Sequence, residues 1–269
     1  AVIRQLYAIP HTSNLYYTEP CARLAQMLCE RTGMKKVFFG NSGAEANECA
    51  IKTARKWALD TYGEGHSTIV TLQNSFHGRT IATLAATGQD AFHTDFGPFP
   101  EGFLYAKPGD LAGLREMTEK TPCAAVMLEV VQGEGGVEAL PTEYLQGVQA
   151  LCREKGMLLV IDEVQTGNGR TGALYAYMNY GLEPDIVTTA KGLGGGLPIG
   201  VCMLGARCEG TLTAGKHGST FGGNPVACAG AVSILSRLND SLMAQVREKA
   251  DYIHKELMGA KGVKRVSGL

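Results

Sequence analysis

Short apolar runs alternate with amphipathic stretches along nearly the whole chain. "KKVFFG", "STIVTLQ", "CAAVMLEV", "MLLVIDEV", "DIVTTAK" and "PIGVCMLG" are four to eight residues long, continuous in apolar character and rich in β-branched residues. Runs of that kind suit strands buried on both faces. Between them lie helical patterns. One starts near Ser42, another is "TEYLQGVQALCREKG", and two more run from Pro225 to about Met258. After Ser42, small or apolar residues recur at Ala46, Ala50, Ala54, Trp57 and Ala58, one buried stripe of a helix. The alternation predicts an α/β fold: a three-layer α/β/α sandwich around a mostly parallel central sheet.

The chain's 269 residues are enough for one large α/β domain, or for a domain and a fragment of another. No linker divides it. "GVKRVSGL" at the end looks like the opening of an element that stops, and the first residues start without a preceding strand, so both ends look cut. The formal charge of −1 argues against a surface built for nucleic acid or anionic lipid. "AVIRQLYAIP" lacks the apolar core of a signal peptide, and no run has the length of a membrane span. The expectation is a cytoplasmic protein. The eight cysteines are scattered without C-x-x-C spacing and read as reduced, mostly buried thiols; the six histidines show no metal-ligand spacing, so no metal is expected. The 35 glycines gather in short loops, as where a backbone closes on a ligand.

Ligands of α/β sheets collect at the carboxyl ends of the strands, and four loops there are informative. In "GNSGAEANE", Ser42 and Glu45 have capping-box spacing, which leaves the N–H groups of Gly43 and Ala44 free at a helix N-terminus that favours phosphate, although most such turns are only caps. "NSFHGRT" offers Phe76 as a stacking ring and Arg79 as a carboxylate fork, although a core ring and a surface charge fit as well. "MLLVIDEVQTGNGR" ends a buried strand in Asp162, which needs a partner: a cationic heterocyclic nitrogen, Arg170 or a helix terminus. Gln165 stands close enough to bond a ring oxygen beside such a nitrogen. In "DIVTTAKGLGGGLPIG", Lys191 follows a strand and precedes glycines; a desolvated amine there can attack an aldehyde, although the residue alone fits a surface lysine as well. "GTLTAGKH", Gly210 to His217, mimics a phosphate-binding loop but has His where Ser or Thr would hold magnesium, and no strand leads into it.

An anion site, an aromatic face, a carboxylate and a reactive lysine together match the parts of pyridoxal 5'-phosphate. The chain also resembles the class III aminotransferases, most closely their acetylornithine-handling branch. The resemblance rests on "HTSNLYYTEP", "FFGNSGAEANECAIKTARK", "NSFHGRTIATLAATGQ", "LEVVQGEGGV", "IDEVQTGNGRTG", "TTAKGLGGGLPIG" and "HGSTFGGNPVACAGA", which span nearly the whole chain in family order.

The resemblance implies the large domain of a type I pyridoxal-phosphate transferase over 1–255, with an incomplete N-terminal segment, and the start of a truncated small domain over 256–269. It implies transfer of the δ-amino group of N2-acetylornithine to 2-oxoglutarate, with ornithine, succinylornithine and 4-aminobutyrate enzymes as alternatives. Amino-acid and 2-oxo-acid substrates and a homodimer with shared sites follow. Lys191 is then the catalytic lysine, which carries the cofactor and shuttles the proton. Asp162 pairs with the ring nitrogen, with Glu163, Val164 and Gln165 in the same cofactor-contacting turn. Gly43 and Ala44 hold the phosphate, and Phe76 covers the ring. Thr220, beside Ser219, reaches the partner subunit's cofactor. Arg79, Ser219 and Glu134 serve the substrate; in the family, Glu134 pairs with an arginine of the small domain. Glu129 occupies the family's acidic position, where Val130 replaces the usual following proline. A truncated chain that binds cofactor or partner without turnover is the alternative of another class.

Overall fold

The structure is a computed structural model and describes residues 1–268. In chain order its elements are α1 (Val2–Ala8), α2 (Glu19–Thr32), β1 (Lys36–Gly40), α3 (Gly43–Tyr62), β2 (Thr68–Leu72), α4 (Ile81–Ala86), β3 (Phe103–Ala106) and α5 (Leu111–Lys120). Then come β4 (Cys123–Leu128), a hairpin of β5 (Val131–Gln132) and β6 (Glu138–Ala139), α6 (Thr142–Glu154) and β7 (Leu158–Asp162). The last are β8 (Ile186–Thr189), β9 (Gly200–Leu204), α7 (Pro225–Leu235) and α8 (Asp240–Met258). All six expected strands are present, as are the helix after Ser42, the helix from Thr142 and the final pair. α8 runs through the expected boundary at 255/256 without a break.

Seven strands form one sheet in the order β1-β9-β8-β7-β4-β2-β3. The pairs β2/β3, β2/β4, β4/β7 and β7/β8 are parallel, while β9 runs antiparallel to both β8 and β1. Strand residues alternate between two cores, as the period of two requires. Leu158 and Val160 join Ala50, Ala54 and Trp57 of α3 on one face. Leu159 and Ile161 join residues of α2, α6 and α7, such as Leu28, Val148 and Ala231, on the other. Helices therefore cover both faces, and the three-layer sandwich is realised. Among the described residues no helix is long and apolar enough to cross a membrane.

The alternation decides where the acid pair after β7 points. Asp162 shares the parity of Leu158 and Val160 and faces α3. Glu163, one residue on, faces the opposite layer.

Candidate active site

The register of two strands brings the main chemical groups together. Asp162 of β7 lies opposite Thr188 of β8, and Lys191 follows Thr188 by three residues. A carboxylate and an amine thus emerge at neighbouring carboxyl ends and line one cavity of about 410 Å³, a size common for small-ligand sites. Gly43, Ala44, Phe76, Arg79, Val164 and Gln165 also line it. The sheet supplies the floor, the first turn of α3 one wall, and the Phe76–Arg79 loop another.

The α3 wall is capped as expected, with one difference. The Ser42 hydroxyl accepts from the Glu45 N–H (3.2 Å). The Glu45 carboxylate, however, reaches back to Asn41 rather than Ser42, accepting from its backbone N–H (2.9 Å) and its side-chain amide (2.8 Å). The first intrahelical bond runs from the Ala46 N–H to the Ser42 carbonyl, so the N–H groups of Gly43 and Ala44 precede it at the cavity. A Cβ at Gly43 would lie 2.6 Å from Val164 Cγ1, which makes glycine the residue that lets α3 abut the turn after β7.

Asp162 is buried and held at both oxygens. Its Oδ2 accepts from Asn47 Nδ2 (2.8 Å) and lies 2.9 Å from His77 Nδ1; its Oδ1 accepts from the Val164 N–H (2.9 Å). The Thr188 hydroxyl approaches Oδ1 at 3.4 Å and donates to Asn47 Oδ1 at 2.7 Å. Of the partners open to Asp162 in the sequence, Arg170 is not used. Asn47 in turn donates to the His77 carbonyl (2.7 Å), locking α3 to the Phe76 loop. These contacts fix its orientation. Asn47 and His77, both buried, line the cavity and were not anticipated from the sequence. The signal was slight: a polar residue one turn after Gly43 on a helix face otherwise made of alanines.

Phe76 meets Phe92 edge-on (5.8 Å), and the Arg79 guanidinium carbon lies 6.0 Å and 5.9 Å from those two rings. The Phe76 N–H donates to Glu129 Oε2 (2.9 Å), and Glu129 reaches the cavity wall; burial pushes its carboxyl up to about 7. Gln165 donates to Glu134 Oε1 (3.2 Å), which ties the β5–β6 loop to the cavity. A side chain at Gly133 would collide with the Gln165 amide, so the loop lies flat against it.

Four expected residues stand outside the lining. Glu134 touches it through Gln165. Ser219 touches it through Asn41, whose amide donates to the Ser219 hydroxyl (3.1 Å). Thr220 is exposed on this chain. Glu163 is a correction: its carboxylate accepts from the N–H groups of Ala176 (2.9 Å) and Tyr177 (2.7 Å) and from the Thr166 hydroxyl (2.6 Å), on the face of the strand away from the cavity. Strand alternation sends it into the core, where burial raises it to about 7. The P-loop-like stretch forms a surface turn, with Lys52 Nζ donating to the Lys216 carbonyl (3.1 Å).

The donor set fits pyridoxal phosphate: helix N–H groups for a phosphate, an aromatic face, a buried carboxylate and a lysine amine around one largely apolar space. Comparison with known proteins agrees. The family model for aminotransferase class-III matches residues 1–268. An acetylornithine aminotransferase from Haemophilus ducreyi is 54% identical over all of this chain and 68% of its own length. A succinylornithine transaminase from Citrobacter koseri is 49% identical over 90% of this chain and 59% of its own length. Among solved structures, an ornithine aminotransferase from Toxoplasma gondii superposes with a TM-score of 0.92 at 35% identity, covering 99% of this chain and 66% of that one. The chain thus spans about two thirds of the length of the relatives it matches.

Proposed function

The chain belongs to the class III aminotransferases, and we propose that it transfers the δ-amino group of N2-acetylornithine to 2-oxoglutarate with pyridoxal 5'-phosphate as cofactor. The observation that carries this reading is the pairing of Asp162 and Lys191 at the ends of adjacent parallel strands, in one cavity closed by a helix N-terminus.

When bound, the cofactor supplies an aldehyde that takes up amino groups and a pyridine ring that draws electrons from the reacting carbon. The side chains divide the remaining work. Asp162, oriented by its hydrogen bonds, would pair with the ring nitrogen and hold a proton there. The N–H groups of Gly43 and Ala44 would bind the phosphate, Phe76 would cover the ring, and Val164 and Gln165 would contact it, Gln165 through the ring oxygen. The Lys191 amine would hold the cofactor and would move a proton to and from the substrate carbon. Arg79 takes a substrate carboxylate, and Glu134 and Ser219 border the substrate.

Thr220, exposed on one chain, serves the cofactor of a second copy in a homodimer, and the enzyme works in the cytoplasm. Residues 1–255 form the large domain, and α8, unbroken to Met258, leads from it toward the small one. The 49% identity to a succinylornithine enzyme supports that substrate as the second reading. Offering the chain acetylornithine, succinylornithine, ornithine and 4-aminobutyrate with 2-oxoglutarate, and measuring glutamate, separates these readings. Borohydride-fixed cofactor attached to the Lys191→Ala chain as fully as to the parent would overturn the assignment of the lysine.

A further inference from the structure

Lys191 is held in an unusual backbone conformation. Its φ is +42°, left-handed and rare for a residue with a long side chain, and it opens a 3-10 turn over Lys191–Gly194. Only a surrounding structure that over-determines such a residue keeps it there. The restraint comes from the loop after β7. Asn168, itself at φ +59°, sends its amide across to the end of β8. There Nδ2 donates to the Thr189 hydroxyl (3.0 Å) and to the Ala190 carbonyl (3.1 Å). The same carbonyl accepts from the Leu193 N–H (3.0 Å), which closes the turn around Lys191. Both amide protons of Asn168 are committed, while its Oδ1 is buried without a partner. An orphan acceptor is a cost that an apolar side chain would avoid. The two donated bonds are the feature of this amide that offsets it.

We propose that Asn168 is a positioning residue for Lys191: its amide clamps the Thr189 side chain and the Ala190–Lys191 peptide and so aims the lysine amine into the cavity. The inference rests on the cofactor assignment above. Asn168 acts on the amine alone, because its bonds go to the lysine-bearing segment and none reaches the helix end, Asp162 or Phe76.

That separation gives the test. Pyridoxal phosphate is captured through Lys191, whereas pyridoxine 5'-phosphate, which has an alcohol in place of the aldehyde, uses only the rest of the cavity. Asn168→Gly keeps the left-handed backbone at no steric cost and removes the clamp. The expected result is that half-capture of pyridoxal phosphate at Lys191, fixed by borohydride and read by peptide mass, needs about tenfold more cofactor. Affinity for pyridoxine 5'-phosphate stays within about twofold of the parent chain. Thr189→Val, which removes one acceptor at constant shape, weakens capture by less and adds little on top of Asn168→Gly. It carries the same comparison should the glycine variant not fold. Equal weakening of both ligands, or of neither, overturns the proposal. Failure of the parent chain to capture pyridoxal phosphate at position 191 overturns the cofactor assignment, and this inference with it.

Discussion

Gly200 opens β9 opposite Gly40 and passes directly beneath the cap of α3. A Cβ there would lie 1.9 Å from the Ser42 carbonyl oxygen, 2.6 Å from its carbon and 3.0 Å from its nitrogen. All three are backbone atoms, so no side chain can swing aside. In Gly200→Ala the capping residue must retreat by about an ångström, carrying the N–H groups of Gly43 and Ala44 with it. Overpacking of this kind costs roughly 1–3 kcal/mol, and a disturbed N-cap adds about 1 kcal/mol. Displaced N–H groups also lose charge-assisted bonds to a phosphate, about 1.5–3 kcal/mol each, so cofactor affinity falls by at least about tenfold. Urea unfolding of the cofactor-free chain measures the first effect, and a pyridoxal phosphate titration followed by absorbance measures the second. Gly210→Ala, where an added Cβ meets nothing within 4 Å, is the control and changes neither. A Gly200→Ala chain that unfolds at the parent's urea concentration and binds cofactor equally well refutes the link between this glycine, the helix cap and the phosphate.

Asn47→Ala strips a donor from Asp162 and leaves the His77 carbonyl and the Thr188 hydroxyl without their amide partner; unfolding should show a loss of about 1–3 kcal/mol, with weaker cofactor binding. The buried Glu163 has its carboxyl raised from 4.5 to about 7, so its contribution to stability is full below about 4.5 and is lost as pH rises toward 7. Relative to Glu163→Gln, which does not titrate, the parent chain should therefore lose on the order of 2 kcal/mol between pH 5 and pH 8 in paired urea titrations; a pH-independent difference contradicts the raised carboxyl. In Arg79→Ala the Michaelis constant for a carboxylate substrate should rise about tenfold or more while cofactor affinity is kept, as steady-state kinetics and a cofactor titration will show.

The strands were legible because their residues are apolar on both faces, and the helices because their stripes repeat every three or four residues. The direction of β9 was not. "PIGVCMLG" reads alike in a parallel or an antiparallel place, although the Ala190–Ile199 connection is too short for the crossover that a parallel neighbour of β8 needs. β3, four residues long, offers too little pattern to stand out. At the site, Lys191 and Asp162 were legible because a lysine beside glycines and an acid ending an apolar strand are locally anomalous. Asn47 carries only a faint local mark and His77 none; their place at the site arises from bonds across 115 and 85 residues of chain. Glu163 was misplaced for want of a rule the sequence does contain, that consecutive strand residues point to opposite sides.

The register between β7 and β8 also says where this protein tolerates redesign. The stretch between Asp162 and Ile186 can be lengthened at its exposed turns without altering the spacing of acid and amine, because the ladder, not the loop, sets it. A single residue inserted inside β8 would turn its downstream half over, delivering the amine to the wrong layer.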